Sequence, residues 1–349
     1  METASLGATG MQVSKLCLGA MMFGAWGNPD HADCARIIHA ALDAGVNFID
    51  TADIYSSGES EEIVGKALAG RRDRVILATK VFHPAGNDPH DPNQRGLSRR
   101  WIRMEVENSL RRLGTDWIDL YQVHRPDYSV DIDETLGVLS DLVREGKVRA
   151  IGTSTFPAHE LVEAQWTSER RCRERFLCEQ PPYSILMRGI ESAVLPVARK
   201  YGMGVICWSP LGGGWLSGKV RPGNVSESWR ASRAPKRFDE KDPVNRRKFE
   251  AVEQVAALAK ESGIPLVELA VAFTLHHPAV SSTIIGPRTM EQLTTQLGAA
   301  DRRLDAATLD RIDEIVPPGT DLGGGDETYY VSPALADVKQ RRRHFLGMA

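Results

Sequence analysis

Eight short apolar segments recur along the 349-residue chain, each followed by a stretch with helical spacing, and together they predict a (β/α)8 TIM barrel. Three observations carry this expectation. The segments are continuous apolar runs rather than alternating ones, so both strand faces are buried, as in a parallel sheet. Eight strand–helix units in about 300 residues close a barrel more economically than they build the competing doubly wound open sheet. No shift in composition marks a second domain, so residues 1–349 read as one barrel domain, with a tail over 317–349 that is a candidate cover for the active site.

In chain order, Gly7-Ala8-Thr9-Gly10 between short apolar stretches reads as a β-hairpin cap within residues 2–13. Lys15 to Gly19 is the first buried strand, and the following helix, Asp33–Ala44, stops at Gly45. Further strands fit Asn47–Thr51, Val75–Val81, Ile118–His124, Val148–Ser154, Phe176–Gln180, Gly204–Pro210 and Ser282–Gly286. Helices fit Glu61–Ala69, Arg99–Leu113, Ile132–Glu145, Ala158–Arg170, Ile190–Tyr201, Pro265–His276 and Met290–Ala299. Two loops break the rhythm, His83 to Gly96 and Gly212 to about Asn245. Both follow strand carboxyl ends, where long loops act as lids or binding elements.

A hydrophobic share of 42% supports a large core and excludes a disordered chain. A net charge of −3 argues against nucleic acid or an anionic membrane as the main partner. No apolar run reaches the roughly 18–20 residues that span a bilayer, and the N-terminus lacks a basic segment followed by an apolar one. The five scattered cysteines contain no C-x-x-C pair, which suits reduced thiols and no metal site. The expectation is a cytoplasmic enzyme, and an oligomer is compatible with it.

Polar groups stand where strands hand over to loops: Asp50 with Tyr55 beyond it, Lys80, and His124. In a barrel these ends meet around one mouth. A phenol with a pKa of about 10 is a poor proton donor, and a neighbouring ammonium lowers that pKa at about 1.4 kcal/mol per unit. Asp50 supplies the anion that a buried Lys80 needs, and His124 orients a substrate carbonyl. Such a site protonates an oxygen while a cofactor delivers hydride to carbon. Singly, each residue reads as well as half of a structural ion pair, a loop aromatic or a satisfied histidine.

The motifs Leu18-Gly19-Ala20-Met21, Phe48 to Tyr55, Leu77 to Lys80, Asp119 to His124, Gly152-Thr153-Ser154, Trp208-Ser209-Pro210-Leu211 and Ile285-Gly286-Pro287-Arg288 together resemble the aldo-keto reductases. The resemblance runs from Leu6 to about Ala300 and is nearest to the branch of bacterial reductases and potassium-channel β subunits. It implies Tyr55 as general acid, Asp50 and Lys80 as its tuning pair, and His124 as the orienting residue. It further implies that Ser154, Gln180 and Trp208 hold the nicotinamide end of a cofactor, with Ala20, Met21 and Asp50 also among the cofactor contacts. Ser209, Pro210, Leu211, Gly213, Lys219 and Arg230 match the pyrophosphate stretch, and Gly286, Arg288, Gln292 and Gln296 the adenosine end. Arg288 points to NADP(H). Thr155, Thr295 and Gln296 depart from the usual pattern at positions taken as adenine contacts, and Ser56-Ser57-Gly58 interrupts a commoner Tyr-Gly pair.

The implied activity is reduction of a small-molecule aldehyde or ketone. Met22, Phe23, Trp26, Tyr55, His83 and His124, with Pro84 and Tyr183, are the expected lining of an apolar, aromatic substrate pocket. Two other classes compete: a regulatory subunit that senses nicotinamide redox state, and an aldolase using Lys80 as a Schiff base. The near P-loop at Gly213–Lys219 ends in Val220, without the hydroxyl that magnesium needs, and is set aside.

Overall fold

The computed structural model describes residues 1–85, 91–223, 225 and 228–323. The chain opens with an antiparallel hairpin, β1 (Thr3–Ser5) and β2 (Gln12–Ser14). Eight parallel strands follow: β3 (Leu16–Gly19), β4 (Phe48–Asp50), β5 (Ile76–Val81), β6 (Ile118–Val123), β7 (Val148–Ser154), β8 (Cys178–Gln180), β9 (Gly204–Cys207) and β10 (Val280–Ile285). They pair in sequence order, and β10 returns to β3 to close the barrel. Around it lie α1 (His31–Asp43), α2 (Glu59–Ala67), α3 (Arg99–Leu113), α4 (Ile132–Arg144), α5 (Ala158–Arg171), α6 (Val194–Tyr201), α7 (Trp229–Arg233), α8 (Pro243–Glu261), α9 (Leu266–His276), α10 (Met290–Leu297) and α11 (Ala306–Ile315). The expected (β/α)8 barrel with an N-terminal hairpin is the observed fold.

Local sequence sets these boundaries. Asp30, Ser98, Asp131, Asp242, Thr289 and Asp305 each accept a backbone N–H at a helix start. Each such cap is worth about 1 kcal/mol. Strand alternation then divides the core in two. Cys17, Phe48, Ala78, Leu120, Ala150, Cys178 and Ile206 fill the barrel interior, joined from below by Leu6 and Val13 of the hairpin. Outward residues such as Leu77, Tyr121 and Ile151 pack against the helices. The hairpin therefore floors the barrel. Gly7, at φ +53°, lies so close to β9 that a Cβ there would sit 2.2 Å from the Gly204 nitrogen.

Several boundaries differ from expectation. Strand β8 is three residues, not the five from Phe176, and β9 ends at Cys207 rather than Pro210. The long insertion carries regular structure that its composition does not suggest: α7 lies in it, and it runs into the 19-residue α8. Helix α11, after the eighth unit, was likewise unexpected. The first part of the expected tail is laid along the segment after β8, with Arg188 N–H donating to Thr320 O at 2.9 Å and Leu322 N–H to Leu186 O at 3.0 Å. Residues 324–349, like 86–90 of the first long loop, lie outside the described residues. Among the described residues no helix is long and apolar enough to cross a membrane.

Candidate active site

Asp50 ends β4, Lys80 lies near the end of β5, and His124 follows β6, so three adjacent strands deliver these side chains to one end of the barrel. The Lys80 ammonium is fully buried and spends its three N–H groups in one place. It donates to Asp50 Oδ1 at 2.5 Å, Thr51 O at 2.8 Å and Tyr55 Oη at 3.2 Å. The other Asp50 oxygen accepts from Gln122 Nε2 at 3.0 Å and Gln180 Nε2 at 2.8 Å. Gln180 also donates to Gln122 Oε1 at 3.1 Å. The His124 ring stands edge-on to Tyr55, with centroids 5.9 Å apart, and its buried Nδ1 has no hydrogen-bond partner among the described residues. The four residues singled out in the sequence form one cluster.

Burial decides the electrostatics. It works against the Lys80 charge, but Asp50 and the Tyr55 hydroxyl outweigh it and hold the ammonium above its ordinary pKa. Burial pushes the Tyr55 phenol up, and Lys80 offsets only part of this. The expected net lowering of Tyr55 is thus corrected: desolvation of the phenolate exceeds the attraction of a cation that Asp50 already half neutralises. Burial, with Lys80 and Arg125 nearby, keeps His124 far below the usual imidazole range and therefore neutral. His83, whose ring meets His124 edge-on at 4.8 Å, is lowered to about 4 by burial and by Arg125, Arg95 and Lys80.

The His83 shift has a sign that a melting experiment can read. Between its unfolded pKa of about 6.5 and its folded pKa of about 4, the unfolded chain binds more protons, so stability falls as pH drops through that window. His124 acts in the same direction. His83→Phe keeps an aromatic ring and is expected to flatten, though not abolish, the loss of melting temperature between pH 6.5 and 4. Identical slopes in variant and parent would refute the assignment.

Beside the cluster lies a groove suited to an anionic ligand. Gly212, Gly213 and Gly214 follow β9 with φ of 57°, 68° and 107°, a run only glycine adopts readily. Side chains of Arg237 and Arg230 border it: a Cβ on Gly213 would be 3.6 Å from Arg237 Nη2, and one on Gly214 3.3 Å from Arg230 Cδ. Trp208 and Ser209 line the same cleft as Gly213 and Arg237, and Trp208 is bridged to Pro182 just beyond Gln180. The Arg288 guanidinium lies 4.8 Å over the Trp229 ring, and its backbone N–H donates to Gln292 Oε1 at 2.8 Å. A side-chain-free turn bordered by the Arg237 guanidinium and the Arg230 stem fits a diphosphate, and the flat Trp208 beside it fits an aromatic ring.

The remaining expected residues distribute as follows. Ser154 is buried and donates to Gln180 O at 3.0 Å, while Ala20 N–H donates to Asp50 O at 2.8 Å, so both abut the cluster. Met21 and Pro210 continue from the ends of β3 and β9, and Lys219 is exposed beyond the glycine turn. Gly286 follows β10, and Gln296 is buried on α10. Trp26, 41% exposed, tilts over Tyr55 at 6.0 Å. Met22 and Phe23 are both buried, and the Phe23 ring packs in the outer core. The Tyr183 hydroxyl is committed to Glu191 at 2.6 Å. Thr155, taken as an adenine contact, instead sits at the cluster end, its N–H on Gln180 O at 3.1 Å and its φ at +59°.

Two neighbours went unread. Gln122 shares the inward face of β6 with His124, and the two-residue spacing carried that signal. Arg125, 8% exposed, donates from Nη1 to His124 O at 2.6 Å and to Thr155 Oγ1 at 3.1 Å, adding a second cation to the site.

The Aldo/keto reductase family profile matches residues 15–317. The chain is 42% identical over 339 residues to an uncharacterized oxidoreductase, YrpG, of Bacillus subtilis, covering 94% of this chain and 98% of that one. It is 38% identical over 300 residues to the aldo-keto reductase YhdN of the same organism, covering 84% and 87%. A probable voltage-gated potassium channel subunit beta of Oryza sativa is 34% identical over 330 residues, covering 90% and 97%. This chain belongs to the aldo/keto reductase family and is an oxidoreductase of the kind that uses a nicotinamide cofactor.

Proposed function

We propose that the chain is an NADPH-dependent reductase of aldehydes or ketones, with Tyr55 as general acid. The observation that supports this most is the complete commitment of the buried Lys80 ammonium to Asp50, Thr51 O and the Tyr55 hydroxyl. A bound nicotinamide supplies the hydride, which no side chain can. The rest is the chain's own work. Tyr55, held above its ordinary pKa, keeps its proton at neutral pH and donates it to the substrate oxygen as charge develops there. Lys80, fixed by Asp50, then stabilises the phenolate left behind. Neutral His124 offers its single N–H to the same oxygen and orients the carbonyl.

Ser154, Gln180 and Trp208 would hold the nicotinamide end, the Gly212–Gly214 turn with Arg230 and Arg237 the diphosphate, and Arg288 a ribose 2′-phosphate. Arg288→Ala is therefore expected to raise KM for NADPH by about 10-fold or more, the worth of one charge-assisted contact, while NADH kinetics stay put. Equal KM changes for both cofactors would remove the basis of the NADPH preference.

A second reading, a nicotinamide-binding regulatory subunit with little turnover, is favoured by one observation, the likeness to the Oryza sativa channel subunit. A panel of aldehydes and ketones, followed by NADPH absorbance beside Tyr55→Phe, separates the two. Carbonyl-dependent NADPH oxidation that Tyr55→Phe abolishes supports the reductase. Tight NADPH binding without oxidation by any carbonyl supports the subunit.

A further inference from the structure

We propose that Ser56 is a positioning residue: it seats the loop carrying Trp26 against Tyr55 and so sets selectivity for carbonyls bearing a flat apolar group. This rests on the reductase reading above. It starts from an oddity of the backbone. The three residues after Tyr55 are all left-handed, with φ of 48° at Ser56, 58° at Ser57 and 94° at Gly58. Only the last is glycine, so the first two are strained, and such strain persists where surrounding contacts over-determine it.

Those contacts converge on Ser56. It is 7% exposed, and its hydroxyl donates to Phe23 O at 3.2 Å while accepting the Trp26 N–H at 3.1 Å. One side chain thus holds both ends of the Phe23–Trp26 turn. Glu59 reinforces it, accepting the Ala25 N–H at 2.7 Å. The fit leaves no slack, since a Cβ on Gly24 would be 2.5 Å from Glu59 Oε2 and 2.9 Å from Ser56 Cβ. On the far side, Asn28 Nδ2 donates to Arg288 O at 3.1 Å and fixes the loop's exit.

The outcome is Trp26 with its indole tilted 55° to the Tyr55 ring at 6.0 Å, still 41% exposed. An aromatic face left open beside the proton donor is a platform for a flat group attached to the carbonyl carbon. Ser57 provides the internal control: it has the same left-handed backbone, is exposed, and makes no side-chain hydrogen bond among the described residues. Strain alone would make the two serines equivalent. Hydrogen bonding separates them.

The experiment compares Ser56→Ala, Ser56→Gly and Ser57→Ala with the parent, using benzaldehyde and propanal at saturating NADPH, with NADPH affinity measured by calorimetry. Ser56→Ala is expected to raise KM for benzaldehyde by about 10-fold, the range of one lost apolar contact, with kcat and propanal KM within about 2-fold. Ser56→Gly, which relieves the backbone but lacks the hydroxyl, should match Ser56→Ala, and Ser57→Ala should match the parent. Equal shifts for both aldehydes, or recovery in Ser56→Gly, would overturn the proposal. Should the Ser56 variants not fold, Trp26→Ala decides: an unchanged benzaldehyde KM sinks the idea. Failure of the reductase reading looks different, as the parent would oxidise NADPH with neither aldehyde.

Discussion

Tyr55→Phe is expected to reduce carbonyl turnover by about 10²–10⁴-fold, the usual worth of a positioned proton donor, while NADPH affinity stays near that of the parent. The change removes one oxygen and keeps the ring, so the tilted contact with Trp26 and the edge-on contact with His124 survive. What is lost is the proton that the substrate oxygen needs and the acceptor for the third Lys80 N–H. An unsatisfied donor on a buried cation costs about 1–3 kcal/mol, so a modest fall in melting temperature accompanies the kinetic loss. Steady-state kinetics with calorimetric NADPH titration checks both halves. Retained activity would show that another group protonates the oxygen.

Lys80→Met carries the largest combined effect. The Asp50 carboxylate would keep its two glutamine donors but lose its only ion-pair partner among the described residues while remaining buried. Removing one member of a buried pair costs about 3–5 kcal/mol, a large fraction of the stability of an ordinary domain. Turnover should fall by about 10²-fold or more as well, because the phenolate formed in the reaction loses its counter-charge. The double variant Lys80→Met with Asp50→Leu separates the two roles. Without an orphaned charge it should regain stability, as buried pairs replaced by apolar residues often do, yet remain inactive. A double variant as unstable as the single one would show that the lysine's packing, not its charge balance, was at stake.

The barrel was legible because parallel strands covered on both faces must be apolar throughout, and eight such runs announce themselves. Helix α8 was hidden by its own beginning: Asn245-Arg246-Arg247-Lys248 continues the basic loop, and its apolar stripe starts only at Phe249, Val252 and Val255. Helix α11 lies outside the eightfold repeat, so no missing unit pointed to it. At the site, Asp50, Lys80 and His124 stood out as charged or titratable groups closing apolar strands. Gln122 did not, since a neutral amide is unremarked until it is seen facing Asp50. Charges can be read from a sequence but desolvation cannot, which is why the direction of the Tyr55 shift needed three dimensions. Thr155 shows the same gap, its left-handed φ and its N–H bond to Gln180 O being properties of the turn after β7.

The sealing of the Asp50–Lys80 pair has one more consequence. With side chains 3% and 0% exposed, the two charges lie beyond the reach of dissolved ions. Exposed pairs such as Arg71–Asp43 are screened as ionic strength rises, whereas this one is scarcely touched. The setting of Tyr55 should therefore hold from dilute buffer to concentrated brine, whereas any anion held beside the Gly212–Gly214 turn by Arg237 would be bound more weakly.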